Sequence, residues 1–337
     1  MTTCYEFGLT PDTPEELAEI QRGQVAFETY FSGEWEREHG PYPQSKYKTP
    51  PDISWSSFEP ELRKRKAYFD HLRNSGWCLW WWVLARAYGL PMSQVLWANQ
   101  GNFPSCAGFA AALAWMRKVL YQKLTAPIRW EKINPMPTWS ITKGYSTSGG
   151  QSMAAVKLGA ARFGNYAVTD PGIGEYPGKV SREIYEKAAG TAQSRQLCSC
   201  MMPATVEALQ LCLDALEVVA VGNQTACRTA RLDANDILIG VISGSWRHAH
   251  IYDAIRYVRG VPYFHWSNEW GEIYKGSKEN DPETGCWHTP DQARLMLQGA
   301  SCWTTVYAEA FQELEIGTTP FVAPFVGYPD DIRHKHS

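Results

Sequence analysis

The chain has no long hydrophobic run. Its most apolar stretch, Trp77-Cys78-Leu79-Trp80-Trp81-Trp82-Val83-Leu84-Ala85-Arg86-Ala87-Tyr88-Gly89-Leu90, spans fourteen residues and contains Arg86. That is short of the roughly 20 residues a membrane helix needs, so it is read as a buried helix whose Trp edges find hydrogen-bond partners. Nor is there an excess of one charge: 32 Lys+Arg against 35 Asp+Glu leave a net charge of −3. Nothing in that balance favours nucleic acid or a membrane surface as a partner. Met1-Thr2-Thr3-Cys4-Tyr5-Glu6 lacks a basic segment followed by an apolar one, so no secretory signal is recognised. The nine cysteines show no paired spacing; Cys198-x-Cys200 is too tight for a zinc knuckle, and no second cluster completes it. Free thiols in the cytoplasm or another reducing compartment are expected, with no metal and no cofactor. Internal repeats, heptads and low-complexity tracts are also missing. Aromatic residues, by contrast, are plentiful: 15 Trp and 17 Tyr suit an aromatic core, a broad groove or packing against other chains.

A chain of 337 residues can bury a large core. Residues 1–75 read as an N-terminal extension. It holds an acidic helix, Pro14 to Gln21, with Thr13 as N-cap; an extended stretch from Gly40 to Pro51; and a charged, solvated helix from Glu61 to Arg73. Such an arm serves as a prosegment, or packs on the domain or on a protein assembly partner. Residues 76–337 read as one domain, with a helical half over about 76–200 and a β-rich half over about 201–337. In the first half, a short helix runs from Ser93 to Trp97 and residues 126–145 are Pro-rich and strand-poor. Ser146 to Val156 opens a further helix, and Asn165 to Lys179 is loop. In the second half Ala204 to Leu216 has helical spacing. Glu217 to Gly222, Ile237 to Ile242, the stretch from Ala249 to Tyr257, and Val261 to Ser267 read as strands. A polar loop from Lys275 to Thr284 precedes a helix started by Thr289-Pro290. A strand-like Cys302 to Tyr307 follows, and then a charged tail from Pro329 to Ser337.

Two short stretches carry chemistry. In the first, Asn99-Gln100-Gly101-Asn102-Phe103-Pro104-Ser105-Cys106 runs straight into the apolar Ala111-Ala112-Leu113-Ala114-Trp115-Met116. Pro104 and Ser105 sit where helices start, so Cys106 falls in the first turn. Unpaired N–H groups and the positive end of the helix dipole favour a thiolate there. The amide of Gln100 is near enough in sequence to supply a hydrogen bond to an oxyanion formed at that sulfur. Most free cysteines are simply small buried hydrophobes, and from composition alone Cys106 is one more of them.

The second stretch is Trp246-Arg247-His248-Ala249-His250-Ile251-Tyr252, an aromatic-rich strand, and then Asn268-Glu269-Trp270-Gly271. Asn-Gln-Gly-x-x-x-Ser-Cys-x-x-Phe together with Asn-x-Trp-Gly resembles the papain-like cysteine peptidases, over about residues 95–275. The resemblance implies an α+β, two-lobed fold, a helical lobe plus a β-rich lobe with a cleft between them. It implies thiol-dependent hydrolysis of a peptide or isopeptide bond in a peptide or protein substrate. Cys106 is then the nucleophile, a His the base, Asn268 the residue that orients it, and Gln100 part of the oxyanion hole. Gly149 and Gly150 line the cleft against the substrate backbone, and Trp270 shields the His–Asn pair. Two histidines compete for the base. His250 stands 144 residues past Cys106 (250 − 106) and seven before Tyr257 (257 − 250), which matches the family's counts and favours it. His248 copies the family's His-Ala step, lies on the same strand face and is placed at the rim. His265 is expected as a groove or surface aromatic.

The chain departs from the family pattern in three places. Ala107 replaces the usual aromatic after the nucleophile, and Phe103 stands where a half-cystine is usual, which a reducing compartment allows. Glu269 replaces a small Ser, where it would raise the His pKa and hold an ion pair with the thiolate, or face solvent. These changes and the aromatic excess also fit a second reading, a catalytically degenerate fold reused as a structural or assembly protein, for example in a phage or viral particle.

Overall fold

A computed structural model describes residues 54–74, 78–95, 99–124, 129–270, 282 and 284–307. The acidic helix Pro14 to Gln21, the stretch Gly40 to Pro51, most of the Lys275 to Thr284 loop and the C-terminal tail lie outside the described residues.

The organising element is a helix that never reaches solvent. It runs Cys106–Gln122 and every one of its residues is buried, including Arg117 and Lys118. Ala-rich and free of Gly and Pro after Gly108, it packs closely on all sides. Its charges are matched, as burial demands. The Arg117 guanidinium donates to Val95 C=O at 2.6 Å and lies 3.4 Å above the Trp81 ring. Lys118 pairs with the buried Glu217, which also takes Arg65 Nη1 at 2.5 Å.

In chain order this is α4. Before it come α1 (Trp55–Asn74), α2 (Trp81–Ala87) and α3 (Met92–Val95). After it come α5 (Pro135–Ile141), α6 (Met153–Phe163) and α7 (Arg182–Ala192). The charged segment from Glu61 to Arg73, expected to be solvated, belongs to α1 and is docked on one face. Phe58, Leu62, Arg65 and Phe69 are buried at helical spacing, and Arg73 donates to Asp214 C=O at 2.8 Å. The Trp-rich run forms α2 and its approach as a core element; Trp80 Nε1 donates to Ile255 C=O at 2.9 Å. Within the Pro-rich 126–145 segment, Asn134 caps α5 by accepting from Met136 N–H, with Pro135 at the first position.

The second half is built on β1 (Leu197–Met201), α8 (Val206–Asp214), β2 (Val219–Leu232), β3 (Leu238–Val258), β4 (Val261–Ser267), β5 (Gly285–His288), α9 (Pro290–Leu297) and β6 (Ser301–Tyr307). The strands form one six-stranded sheet in the order β1-β6-β2-β3-β4-β5, antiparallel apart from a parallel touch of β3 on β5. Two stretches expected as separate strands, Ile237 to Ile242 and Ala249 to Tyr257, are one continuous β3. The strand carries through Ser243-Gly244-Ser245 by an irregularity: Gly244 takes a φ of +74°, and the β2–β3 register shifts between Asn223 and Thr229. Alternation sorts the side chains. Ala220, Ala249, Ile251 and Trp287 face the α4 core, whereas Val221, Tyr252, Phe264 and Trp266 join α8 and α9 on the other face. The class is α+β, with helices on both faces of an antiparallel sheet. Cys78, Cys106, Cys200, Cys212, Cys227, Cys286 and Cys302 are free thiols. Among the described residues no helix is long and apolar enough to cross a membrane.

Candidate active site

Three segments far apart in sequence meet at the N-terminus of α4. The Gln100 loop and the segment after β4 are tied by an isolated antiparallel bridge between Asn99 and Trp270, and Gln100 N–H donates to Glu269 C=O at 2.8 Å. Tyr176 OH donates to Gln100 C=O at 2.7 Å and sits 3.0 Å from Ser105 Oγ, which fixes the loop just before the helix. Cys106 is the first helical residue. Two positions on, Gly108 lets α5 come close: a Cβ there would lie 2.7 Å from Trp139 Cβ and 3.0 Å from Pro135 O.

The histidine beside Cys106 is His248. A ring nitrogen of His248, the Cys106 sulfur and a Glu269 carboxylate oxygen lie within 4.8 Å of one another. His248 Nε2 is 2.6 Å from Asn268 Oδ1, and the same oxygen accepts Glu269 N–H at 2.9 Å. An oxygen that already accepts a backbone N–H cannot donate, so Nε2 carries the proton and Nδ1 is the basic nitrogen. The Trp270 ring covers His248 at 4.7 Å and 32°, with Trp246 also at 4.7 Å.

His250, favoured from residue counts as the base, is a core residue instead. Its ring packs against Trp266 at 5.3 Å and Tyr252 at 5.9 Å, on the sheet face of α8 and α9. Burial, then the neighbouring His248 and His288, push its pKa well below the usual range. The count to Tyr257 assumed an unbroken strand. The β3–β4 register shifts by one residue between Tyr252 and Ala254, so a residue count along β3 does not fix which histidine reaches Cys106. His265 is likewise no groove residue. It is fully buried, with Nδ1 2.7 Å from Asp253 Oδ1 and its ring against Trp82.

Gln100 is brought to the site by its backbone, while its side-chain amide donates to Phe103 C=O at 3.2 Å. Gly149 and Gly150 lie in the turn before α6, where the Lys143 ammonium holds Gly149 C=O at 2.5 Å.

The site is closed. Cys106, His248, Asn268 and Glu269 are 0% exposed and Gln100 5%. Burial, then the Glu269 charge, push the Cys106 thiol well up; N–H groups of Ala249, Ala107 and Cys106 oppose the shift without reversing it. The thiolate expected from the helix terminus is therefore outweighed by desolvation. Glu269 does not face solvent. Its Oε1 is 3.3 Å from His248 Nε2, and burial pushes its own pKa well above the carboxylate range. Sequence reasoning flagged Glu269 as a departure with two places open to it, beside the His and thiolate or facing solvent; it lies buried beside His248. Among the described residues two donor sets have metal-ligand chemistry: Cys106, His248 and Glu269 here, and Cys227, Cys286 and His288 elsewhere.

No family model matches the chain, and no curated protein sequence does. Among solved structures it is similar to xylellain, a cysteine protease from Xylella fastidiosa, at 15% identity and a TM-score of 0.44 over 62% of this chain and 82% of that one. It is similar to digestive procathepsin L 3 from the larval midgut of Tenebrio molitor at 14% identity and 0.45, over 89% and 95%. Bromelain from Ananas comosus, in complex with the E64 inhibitor, aligns at 16% identity and 0.45, over 68% and 98%. Likeness this distant assigns neither reaction nor residue roles, which rest on the side chains described above.

Proposed function

We propose that the chain is a papain-like cysteine peptidase whose nucleophile is Cys106, with His248 as base and Asn268 as the group that orients it. The observation that carries this reading is the chain of contacts from Asn268 Oδ1 to His248 Nε2 at 2.6 Å, and from His248 to the Cys106 sulfur at the start of α4. Asn268 fixes the imidazole so that Nδ1 takes the thiol proton as the sulfur attacks a peptide carbonyl carbon. The Cys106 N–H and the Gln100 amide, turned away from Phe103, stabilise the oxyanion. Collapse of the tetrahedral adduct passes the proton from His248 to the leaving amine. Water, deprotonated by the same nitrogen, then hydrolyses the thioester. The helical half supplies Gln100 and Cys106 and the β-rich half supplies His248 and Asn268. Substrate contacts from Gly149 and Gly150 require the Lys143 tether to yield.

A second reading keeps the fold and drops the chemistry: a catalytically degenerate scaffold that serves in protein assembly through residues 1–75. The closed site, with Glu269 buried inside it, favours it. A peptide bearing an electrophile such as a vinyl sulfone separates the two. The enzyme is modified at Cys106 in the folded state, His248→Ala abolishes the reaction, and fluorogenic peptide or lysine-isopeptide amides are cleaved. Modification only after denaturation would sink the peptidase reading in favour of the scaffold.

A further inference from the structure

The Cys227, Cys286 and His288 side chains form a second cluster of soft donors that the proposed hydrolysis does not use. All three are buried, on β2 and β5, against the α8 and α9 side of the sheet. Cys227 Sγ is 4.0 Å from Cys286 Sγ and 3.3 Å from His288 Nε2, and Cys286 Sγ is 3.9 Å from that nitrogen. A tetrahedral ion with bonds of about 2.3 Å to sulfur and about 2.0 Å to nitrogen sets two sulfurs about 3.8 Å apart and sulfur and nitrogen about 3.6 Å apart. The three separations here scatter around those values. The sulfurs are also well beyond the bond length of a disulfide.

Two further features fit an ion. Tyr252 OH lies 2.7 Å from His288 Nδ1, which sets the ring plane and leaves Nε2 as the donor turned into the cluster. Such an outer partner is characteristic of metal-bound imidazole. Gly240 lies over the donors: a Cβ there would sit 2.6 Å from His288 Nε2 and 2.7 Å from Cys227 Sγ. The absent side chain leaves room beside both atoms.

We infer that Cys227, Cys286 and His288 bind one zinc(II)-class cation, with a water or small anion in the fourth position. Both thiols lose their protons on binding, so affinity rises with pH. The ion clamps β2 to β5 across β3 and β4. The site was invisible to spacing rules, because its ligands come from strands 59 residues apart in sequence.

The test uses the full chain prepared under reducing conditions, with zinc measured by elemental analysis and cobalt(II) as a spectroscopic probe. The expected result is one metal per chain, tetrahedral cobalt bands with thiolate-to-metal charge transfer, and a lower Tm after chelation. Cys106→Ala keeps the full stoichiometry. Cys227→Ser and Cys286→Ser lose the metal, and Tyr252→Phe binds zinc about 10–100-fold more weakly. Should the serine variants fail to fold, the wild-type cobalt spectrum still decides, because a site without two thiolates lacks the intense charge-transfer bands. The inference is overturned by a folded wild-type chain that neither carries zinc nor gains Tm on adding it. Loss of the metal in Cys106→Ala, or a Cys227–Cys286 disulfide in the isolated chain, would overturn it equally.

Discussion

Replacing Glu269 with Gln removes one ionisable group and little else, and the sign of its effect reports the charge state of the site. Glu269 is fully buried, and neither carboxyl oxygen has a hydrogen-bond partner among the described residues; His248 Nε2 lies 3.3 Å from Oε1. Burial raises its pKa in the folded chain. In the unfolded chain it titrates near about 4.3. Between those values the folded chain keeps a proton that the unfolded chain has released. Wild-type stability therefore falls as pH rises, by about 1.4 kcal/mol per pH unit, until Glu269 ionises. Gln is neutral and nearly isosteric, so it escapes that loss. The stability gain of Glu269→Gln should be near zero around pH 4 and grow with pH, to a ceiling of about 4 kcal/mol at pH 7.

Paired denaturant titrations of the two full chains from pH 4.5 to 8 measure this difference, and contributions from other titrating groups cancel. A second measurement is alkylation of Cys106 against pH. The Gln variant should react at lower pH, because the Glu269 charge is one of the causes that hold the thiol up. A gain that does not change with pH would refute the reasoning. So would a Gln variant that becomes progressively less stable than wild type as pH rises, which is the behaviour of an ionised Glu269 paired with a charged His248.

Four further outcomes follow from the same geometry. His248→Ala should slow peptide cleavage or Cys106 modification by about 10²–10⁴-fold, the usual contribution of a general base. His250→Leu should leave that rate within a few-fold, since both of its ring nitrogens lack hydrogen-bond partners among the described residues; an equal loss in both variants would contradict the assignment. Gly108→Ala should destabilise the chain by about 1–3 kcal/mol in thermal melts, because its Cβ would meet Trp139 Cβ at 2.7 Å and the buried α4–α5 contact has no room to give. Burial lowers the Lys157 pKa to about 7, with Thr305 Oγ1 3.0 Å from its ammonium nitrogen. The folded chain then holds fewer protons than the unfolded one between about 7 and the lysine value of about 10.4, and stability rises with pH across that window. Lys157→Met should therefore gain most below pH 7 and progressively less toward pH 10; a gain independent of pH would contradict the burial argument.

The parts of the site that were legible in the sequence are those whose chemistry is written locally. Pro104-Ser105-Cys106 marks a helix start because Pro and Ser suit the first turn, and the helix begins at Cys106. Thr289-Pro290-Asp291-Gln292 marks another, and it forms a full capping box in α9. What could not be read is whatever depends on strand register. His248 and His250 differ by one strand repeat, and the choice between them turned on a count that the irregularity near Asp253 breaks. Glu269 is the same kind of case. A carboxylate in a polar tetrapeptide reads as solvated, yet Glu269 is fully buried, in a segment tied down by the bridge from Asn99 to Trp270. Residue type predicts charge only when burial is known, and burial here is set by strands that close over the site from 140 to 170 residues downstream of Cys106. That is why the helix-dipole argument for a Cys106 thiolate was sound in kind and wrong in outcome. A first-turn position offers N–H donors worth about 0.3–1 kcal/mol at an exposed site, and complete removal from water exceeds that several-fold. Catalysis on this fold accordingly requires a step that brings water or substrate dipoles to the sulfur before the proton leaves. The rate of Cys106 modification should then saturate with electrophile concentration, at a ceiling set by opening of the site and not by the reagent.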